Sequence, residues 1–532
     1  MILEHVLNTS GTNATGVWLD NQGPGCFTPE AVVEAVRRFR EAAWLVRANG
    51  PESSMGPNGL SCTGALPGLY PEWLGGPEFT QAHGVRFPYV SGAMARGIAS
   101  TDLVIAMGRA GMLGFFGSAG LPLARIEAAL EEMETALGQE YRWGCNLINS
   151  MTDPQLEENL VDLLLRRSVR RISASAYMEL TPALVRYAFN GISQRDGRIL
   201  RPNHVFAKIS RPDVARHFMA PPPAAMLAEL VAAGKLSADE ARLAARQPVA
   251  EDYIVESDSG GHTDNQPLGS LFPTIMELRD KLCREFAYER PIRLGAAGGM
   301  GTPVSVASAF ALGAQFVVTG SVNQATLEAG VSDEVKAMLA KACLTDFAMC
   351  PCADMFELGV KVQVLKRGTM FPVRASQLYA VYVQYASLEA IPPAIAARLE
   401  KQIFRQPLAE VWASTRSFFA ERNPEEVQRA EADPKHKMAL VFRWYMGSSS
   451  QWPIRGISDR AIDYQIWSGP AQGSFNNWVE GSFLEPVENR QAVQIALNLL
   501  EGAATITRAN QLRSNGISVP PEAFRFDPRP LA

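Results

Sequence analysis

Three glycine-bearing stretches carry the residues best suited to chemistry: Glu256-Ser257-Asp258-Ser259-Gly260-Gly261-His262, Gly295-Ala296-Ala297-Gly298-Gly299-Met300-Gly301 and Val317-Val318-Thr319-Gly320-Ser321. Each follows a short apolar run (Tyr253 to Val255, Ile292 to Leu294, Phe316 to Val318), so each reads as the end of a buried strand opening into a loop and then a helix. Without side chains, the backbone N–H groups of such loops close on an anion that also feels the positive end of the following helix. Gly298, Gly299, Gly320 and Ser321 therefore predict a phosphate site formed after the last two strands of a β/α series, the position such sites take in a TIM barrel. His262, one strand earlier, is placed for proton chemistry beside whatever that phosphate anchors.

The elements that must position these residues alternate from about residue 85 to about 345. Strands are predicted at Phe87–Val90, Met112–Phe116, Arg142–Ile148, Arg171–Ala174 and Val205–Ile209, and the three runs above complete eight. Helices are expected between them, including Thr101–Ala110, Pro122–Leu137 and one capped near Thr152 or Asp153 and opened by Pro154. Eight β/α units favour a closed (β/α)8 barrel over an open sheet. One unit is expanded: after Pro221-Pro222-Pro223, two helical patterns (Ala224–Gly234 and Ser237–Arg246) read as a hairpin inserted at about 220–250. Residues 1–84 read as a wrapping segment with one helix, Pro29–Ala48, and residues 346–532 as a mostly helical C-terminal domain covering the barrel mouth. Five of the nine tryptophans (Trp412, Trp444, Trp452, Trp467 and Trp478) fall in that last region and read as a buried aromatic core.

Composition narrows the function classes. With 47% hydrophobic and 20% charged residues the chain buries a sizeable core, and a formal net charge of -5 argues against a role on nucleic acid. There is no signal-peptide pattern and no long apolar run, so no membrane association and a cytoplasmic location are expected. Seven scattered cysteines read as reduced thiols, and Cys350-Pro351-Cys352 lacks the spacing and partners of a metal site, so no metal is expected.

Together with Ala353-Asp354-Met355-Phe356-Glu357-Leu358-Gly359-Val360-Lys361, Asp433-Pro434-Lys435-His436 and Asp463-Tyr464-Gln465-Ile466-Trp467, the glycine stretches resemble the PfaD family, the trans-acting enoyl reductases of polyunsaturated-fatty-acid and trans-acyltransferase polyketide synthases. The barrel part alone also resembles nitronate monooxygenases and flavin-dependent bacterial enoyl reductases. Cys350-Pro351-Cys352 stands where Ala-Pro-Ala is expected, a small-for-small change. The resemblance implies FMN, NADPH and an enoyl thioester on an acyl carrier protein, and is compatible with a homodimer.

On that reading the flavin ring lies across the barrel mouth, within reach of Ala93, Met94, Asn146, Lys208 and Gly261, with its phosphate on Gly298, Gly299, Gly320 and Ser321. Asn146 would pair with ring carbonyl and N–H groups. Lys208, inside the apolar strand Val205–Ile209, needs an electron-rich partner to offset its desolvation, which a flavin edge would supply; otherwise it snorkels to solvent. His262 would protonate the substrate α-carbon or hydrogen-bond the thioester oxygen. Lys361, Lys366, Arg367 and Arg374, with Lys435, Lys437 and Arg443, are the basic groups available to an acidic carrier protein. Two other functions compete: a nitronate monooxygenase, and a non-catalytic docking subunit.

Overall fold

A computed structural model describes residues 15–19, 28–47, 61–138, 142–150 and 154–532. All eight predicted strands are present: β1 (Tyr89–Ser91), β2 (Leu113–Phe116), β3 (Gly144–Ile148), β4 (Arg171–Ser175), β5 (His204–Ile209), β6 (Asp252–Glu256), β7 (Arg293–Ala297) and β8 (Phe316–Thr319). They pair in parallel and in sequence order, and β8 closes on β1 through Val317–Tyr89 and Thr319–Ser91. Strands covered on both faces read as unbroken apolar runs, which is why they were legible without alternation. The barrel interior is filled by Val90, Leu113, Phe115, Phe206, Ile254, Ala297, Phe316 and Val318, and Phe79 plugs its lower end by stacking on Phe316 at 4.3 Å.

The same lower end holds a buried charge network. Arg293 clamps Asp252 with two bonds of 2.6 and 2.7 Å, and His83 Nε2 lies 3.1 Å from the Asp252 carboxylate. Arg171 Nε donates to His83 Nδ1 at 3.3 Å, which fixes the neutral imidazole with its proton on Nε2. His83, His204 and Asp252 could in geometry surround a cation. The two guanidinium groups already engage His83 Nδ1 and the Asp252 carboxylate, leaving only His204 Nδ1 without a hydrogen-bond partner, so the cluster reads as structural, as expected at the bottom of a barrel.

Outside the barrel the chain departs from expectation in three places. The helix predicted over Pro29–Ala48 stops at Arg37, and Ala43–Arg47 is instead the central strand of an antiparallel sheet with Thr15–Leu19 and Ser61–Leu66. Pairing on both edges outweighs the helical pattern of Ala-Trp-Leu-Val-Arg, whose aromatic and branched side chains suit a sheet equally well. The helix Pro154–Arg166 opens at the predicted proline, while Thr152 and Asp153 lie outside the described residues. A two-stranded ribbon, Ser193–Arg195 with Arg198–Leu200, precedes β5; the inserted helical hairpin follows as Ala224–Ala232 and Ala238–Ala244, the latter opened by a capping box between Ser237 and Glu240.

The third departure concerns the C-terminal half. Residues from about 347 to 446 do form a separate apolar core of helices around a hairpin, Phe347–Pro351 and Lys361–Leu365. From Phe475 onward, however, the chain rejoins the barrel core. Its 23-residue helix, Ala492–Ser514, packs against both Pro303–Ala311 and Thr101–Arg109, the helices after β7 and β1, and so occupies the place of the eighth barrel helix. Gly502 permits the contact, since a Cβ there would stand 2.5 Å from the Pro303 ring. The far end of this helix anchors the N-terminal sheet through Ala509 and Leu512, with Arg508 donating to the carbonyls of Phe39 and Pro67. Among the described residues no helix is long and apolar enough to cross a membrane.

Candidate active site

An open cavity lies at the C-terminal ends of the barrel strands. Its wall is built from the loops after β1, β7 and β8, from Lys208 on β5 and Glu256 on β6, and from Trp467 and Ala471 of the C-terminal region. Seven of the predicted residues line it: Ala93, Met94, Lys208, Gly298, Gly299, Gly320 and Ser321.

The glycine loops fit a phosphate. Gly298 and Gly299 both have φ near the left-handed region (+85° and +71°), where a side chain would strain the backbone. They differ in what surrounds them. A Cβ on Gly298 would strike Ser257 Oγ at 2.5 Å, whereas one on Gly299 or Gly320 would meet nothing within 4 Å. Gly298 thus lets the β6 and β7 loops close together, and Gly299 and Gly320 leave an open cradle. The N–H groups of Gly299 and Met300 donate to no carbonyl among the described residues. Ser321 Oγ accepts from Gly469 N–H at 3.1 Å and keeps its own proton to donate.

Lys208 finds a partner that the sequence reading did not assign. Its Nζ lies 2.7 Å from Glu256 Oε1, and Ser259 Oγ donates to the same carboxylate oxygen at 2.9 Å. The desolvation of the lysine is therefore offset within the protein itself, and with 30% of its side chain exposed it remains accessible from the cavity. Asn146 is not among the lining residues. Its amide nitrogen donates to Ser173 O (2.8 Å) and Ser175 Oγ (2.6 Å), a bridge between β3 and β4 that holds the wall.

His262 and Gly261 stand at the rim. They pair antiparallel with Val362 and Gln363 of the C-terminal hairpin, so the loop after β6 becomes the edge strand of a three-stranded sheet. Gln363 locks the arrangement by donating to Asp258 Oδ1 and Ser259 O at 2.6 and 2.7 Å. The loop between the hairpin strands brings Asp354 to 3.6 Å from His262 Nε2. Surrounding protein lowers the imidazole pKa below its ordinary value; Asp354 opposes that, Lys208 adds to it and Glu256 opposes it. The side chain is nevertheless 47% exposed, so the imidazole is accessible from solvent.

The family model described as nitronate monooxygenase matches residues 77–378, more than half of the chain. The crystal structure of the enoyl reductase domain of MlnA from Bacillus amyloliquefaciens superposes with a TM-score of 0.80 at 38% identity, covering 83% of this chain and 99% of that one. The chain belongs to this family, as a PfaD-like enoyl reductase. One of the polyunsaturated fatty acid synthase subunits of Thraustochytrium is 46% identical over 86% of the chain and 31% of its own length. Polyketide biosynthesis protein PksE of Bacillus subtilis is 42% identical over 82% of the chain and 57% of its own length. The chain thus spans about a third to somewhat over half of these curated relatives. Residues 385–464 also match the inserted helical domain of [acyl-carrier-protein] S-malonyltransferase.

Three functional candidates escaped the sequence reading. Glu256 is the first, and an acid ending an apolar strand beside a lysine-bearing strand was the available signal. Trp467 was read as core; it does pack against the C-terminal core, but it also lines the cavity. Asp354 reaches His262 only through a hairpin from another part of the chain. The basic clusters, in turn, are largely satisfied internally: Arg374 pairs with the buried Asp463, Arg367 with Asp346 (3.1 Å), Lys437 with Glu389 (2.9 Å) and Arg443 with Glu357 (3.4 Å). Lys435 donates to the carbonyls of Tyr382 and Tyr385, so Lys361 and Lys366 are the members of these clusters whose side chains have no hydrogen bond or ion pair among the described residues.

Proposed function

We propose that this protein is an FMN-dependent enoyl reductase that uses NADPH to saturate the 2,3 double bond of enoyl thioesters on an acyl carrier protein, in polyketide or polyunsaturated-fatty-acid assembly. The observation carrying this reading is the convergence, at one barrel mouth, of an open glycine cradle with a Lys208–Glu256 pair and a rim histidine. FMN, when bound, supplies hydride transfer between NADPH and the β-carbon. Gly299, Met300, Gly320 and Ser321 would hold its phosphate through backbone N–H groups and one hydroxyl. Lys208 would present its ammonium to the electron-rich edge of the ring system, with Glu256 fixing its position. His262 would donate a proton to the substrate α-carbon or hydrogen-bond the thioester oxygen as charge gathers there. Trp467, at the side of the cavity, would exclude water from the reacting face.

An anaerobic titration tests the proposal. The purified protein should show flavin absorbance that bleaches with NADPH and returns on addition of a 2-enoyl thioester. Oxygen uptake with a nitroalkane and no response to the thioester would favour nitronate oxidation, which the family match makes the natural competitor. A protein that takes up no flavin would leave only the docking-subunit reading.

A further inference from the structure

The loop after β1 carries a charge that no described residue pairs by a hydrogen bond or salt bridge. Arg96, two residues beyond the cavity-lining Met94, adopts a left-handed backbone (φ 60°), an uncommon conformation for a long side chain and one that accumulates at functional sites. The loop holds it there: Arg96 N–H donates to Ala119 O and Gly97 N–H to Gly117 O, both at 2.8 Å. Its guanidinium lies over Gly120, with the central carbon 3.8 Å from where a Cβ would be.

A second arginine approaches from the C-terminal region. Arg455 ends the short helix Trp452–Arg455, and residues 330–332 tie that helix to the Arg96 loop: Gly330 N–H donates to Ile98 O (2.9 Å) and Ser332 N–H to Pro453 O (3.2 Å). Met94, Trp452, Ile454 and Trp467 pack on one apolar cluster, so both arginines flank the wall that continues into the cavity. Neither guanidinium has a hydrogen bond or salt bridge among the described residues. Burial disfavours the charge on Arg96 most, Asp354 favours it and Arg455 disfavours it, and the side chain of Asp354 is 70% exposed and within 3.6 Å of His262. Two planar cations against one solvated carboxylate leave a net positive charge on this part of the rim, suited to a phosphate group.

We propose that Arg96 and Arg455 form a phosphate site on the rim of the mouth, separate from the glycine cradle, that receives the phosphate of an incoming ligand: the phosphopantetheine arm bearing the thioester, or the adenosine 2′-phosphate of the reductant. The choice of ligands rests on the reductase reading, but the test does not use turnover. Binding to the full-length protein is measured calorimetrically for two pairs of probes that differ by one phosphate, 4′-phosphopantetheine against pantetheine and 2′,5′-ADP against 5′-AMP. The phosphorylated member of one pair should bind at least about tenfold more tightly, and that pair identifies the source. Arg96→Asn, a residue that tolerates the left-handed backbone, and Arg455→Gln should each cut the preference to about threefold or less while thermal unfolding is unchanged. Absence of a phosphate preference in both pairs, or its survival in both variants, overturns the site. If the preference is present while enoyl thioesters are never reduced, the site stands and the reductase assignment falls.

Discussion

Acidification should destabilise this barrel through one histidine at its floor. His83 donates from Nε2 to Asp252 and accepts at Nδ1 from Arg171, with Arg293 on the other side of the carboxylate. A second ring proton would point at the Arg171 guanidinium. Burial, the largest effect, opposed by Asp252 and reinforced by His204 and Arg293, lowers its pKa from 6.5 to about 4. A pKa lowered by folding means that the neutral form stabilises the fold above pH 6.5, and that this contribution is lost as pH falls from 6.5 toward 4, where the unfolded chain binds a proton the folded chain refuses. At 1.36 kcal/mol per pH decade the full loss is roughly 3 kcal/mol, of which about 2 kcal/mol falls between pH 7 and 5. The assay is urea denaturation of wild type and His83→Gln at both pH values, with midpoints converted through the measured slope. Glutamine can accept from Arg171 and donate to Asp252 but does not titrate, so the variant should lose about 2 kcal/mol less than wild type on acidification. Equal losses in the two proteins would refute the assignment of a neutral, Arg171-bonded His83.

Other outcomes follow from the mouth and from the packing of the last helix. His262→Ala should leave flavin bound and reducible by NADPH but slow reoxidation by enoyl thioester by ~10² or more, read by stopped-flow absorbance; unchanged reoxidation removes it from the mechanism. Glu256 raises and Lys208 lowers the His262 pKa. The alkaline limb of kcat/KM should therefore move to lower pH in Glu256→Gln and to higher pH in Lys208→Met, and shifts in one direction for both would exclude His262 as the titrating acid. Gly320 has an ordinary negative φ and open space at its Cβ position, so Gly320→Leu should fold normally and yet bind no flavin; stoichiometric flavin in the variant places the phosphate elsewhere. Gly502→Val should lower stability by about 1–3 kcal/mol in chemical denaturation, because its side chain meets the Pro303 ring; a neutral result would mean that the helix contact yields without cost.

The barrel and its glycine loops were legible in the sequence because their determinants are local. Strands buried on both faces must be continuously apolar, and loops that bring backbone N–H groups to an anion must be glycine, so β6 to β8 and Gly298, Gly299 and Gly320 could be placed from their own neighbourhoods. Lys208 stood out for the same reason, as a charge in an apolar run. Its partner did not: Glu256 lies 48 residues away on the adjacent strand, and parallel pairing alone puts the carboxylate and the ammonium side by side. Asp354 meets His262, and Arg455 approaches Arg96, through a hairpin and a tethered turn whose long-range pairing no local pattern encodes. The eighth barrel helix is the extreme case. Ala492–Ser514 reads as helical by period, but its period could not say which surface it covers; only the gap left between the helices after β7 and β1 decides that, because an apolar helix face is specified by its type and not by its partner.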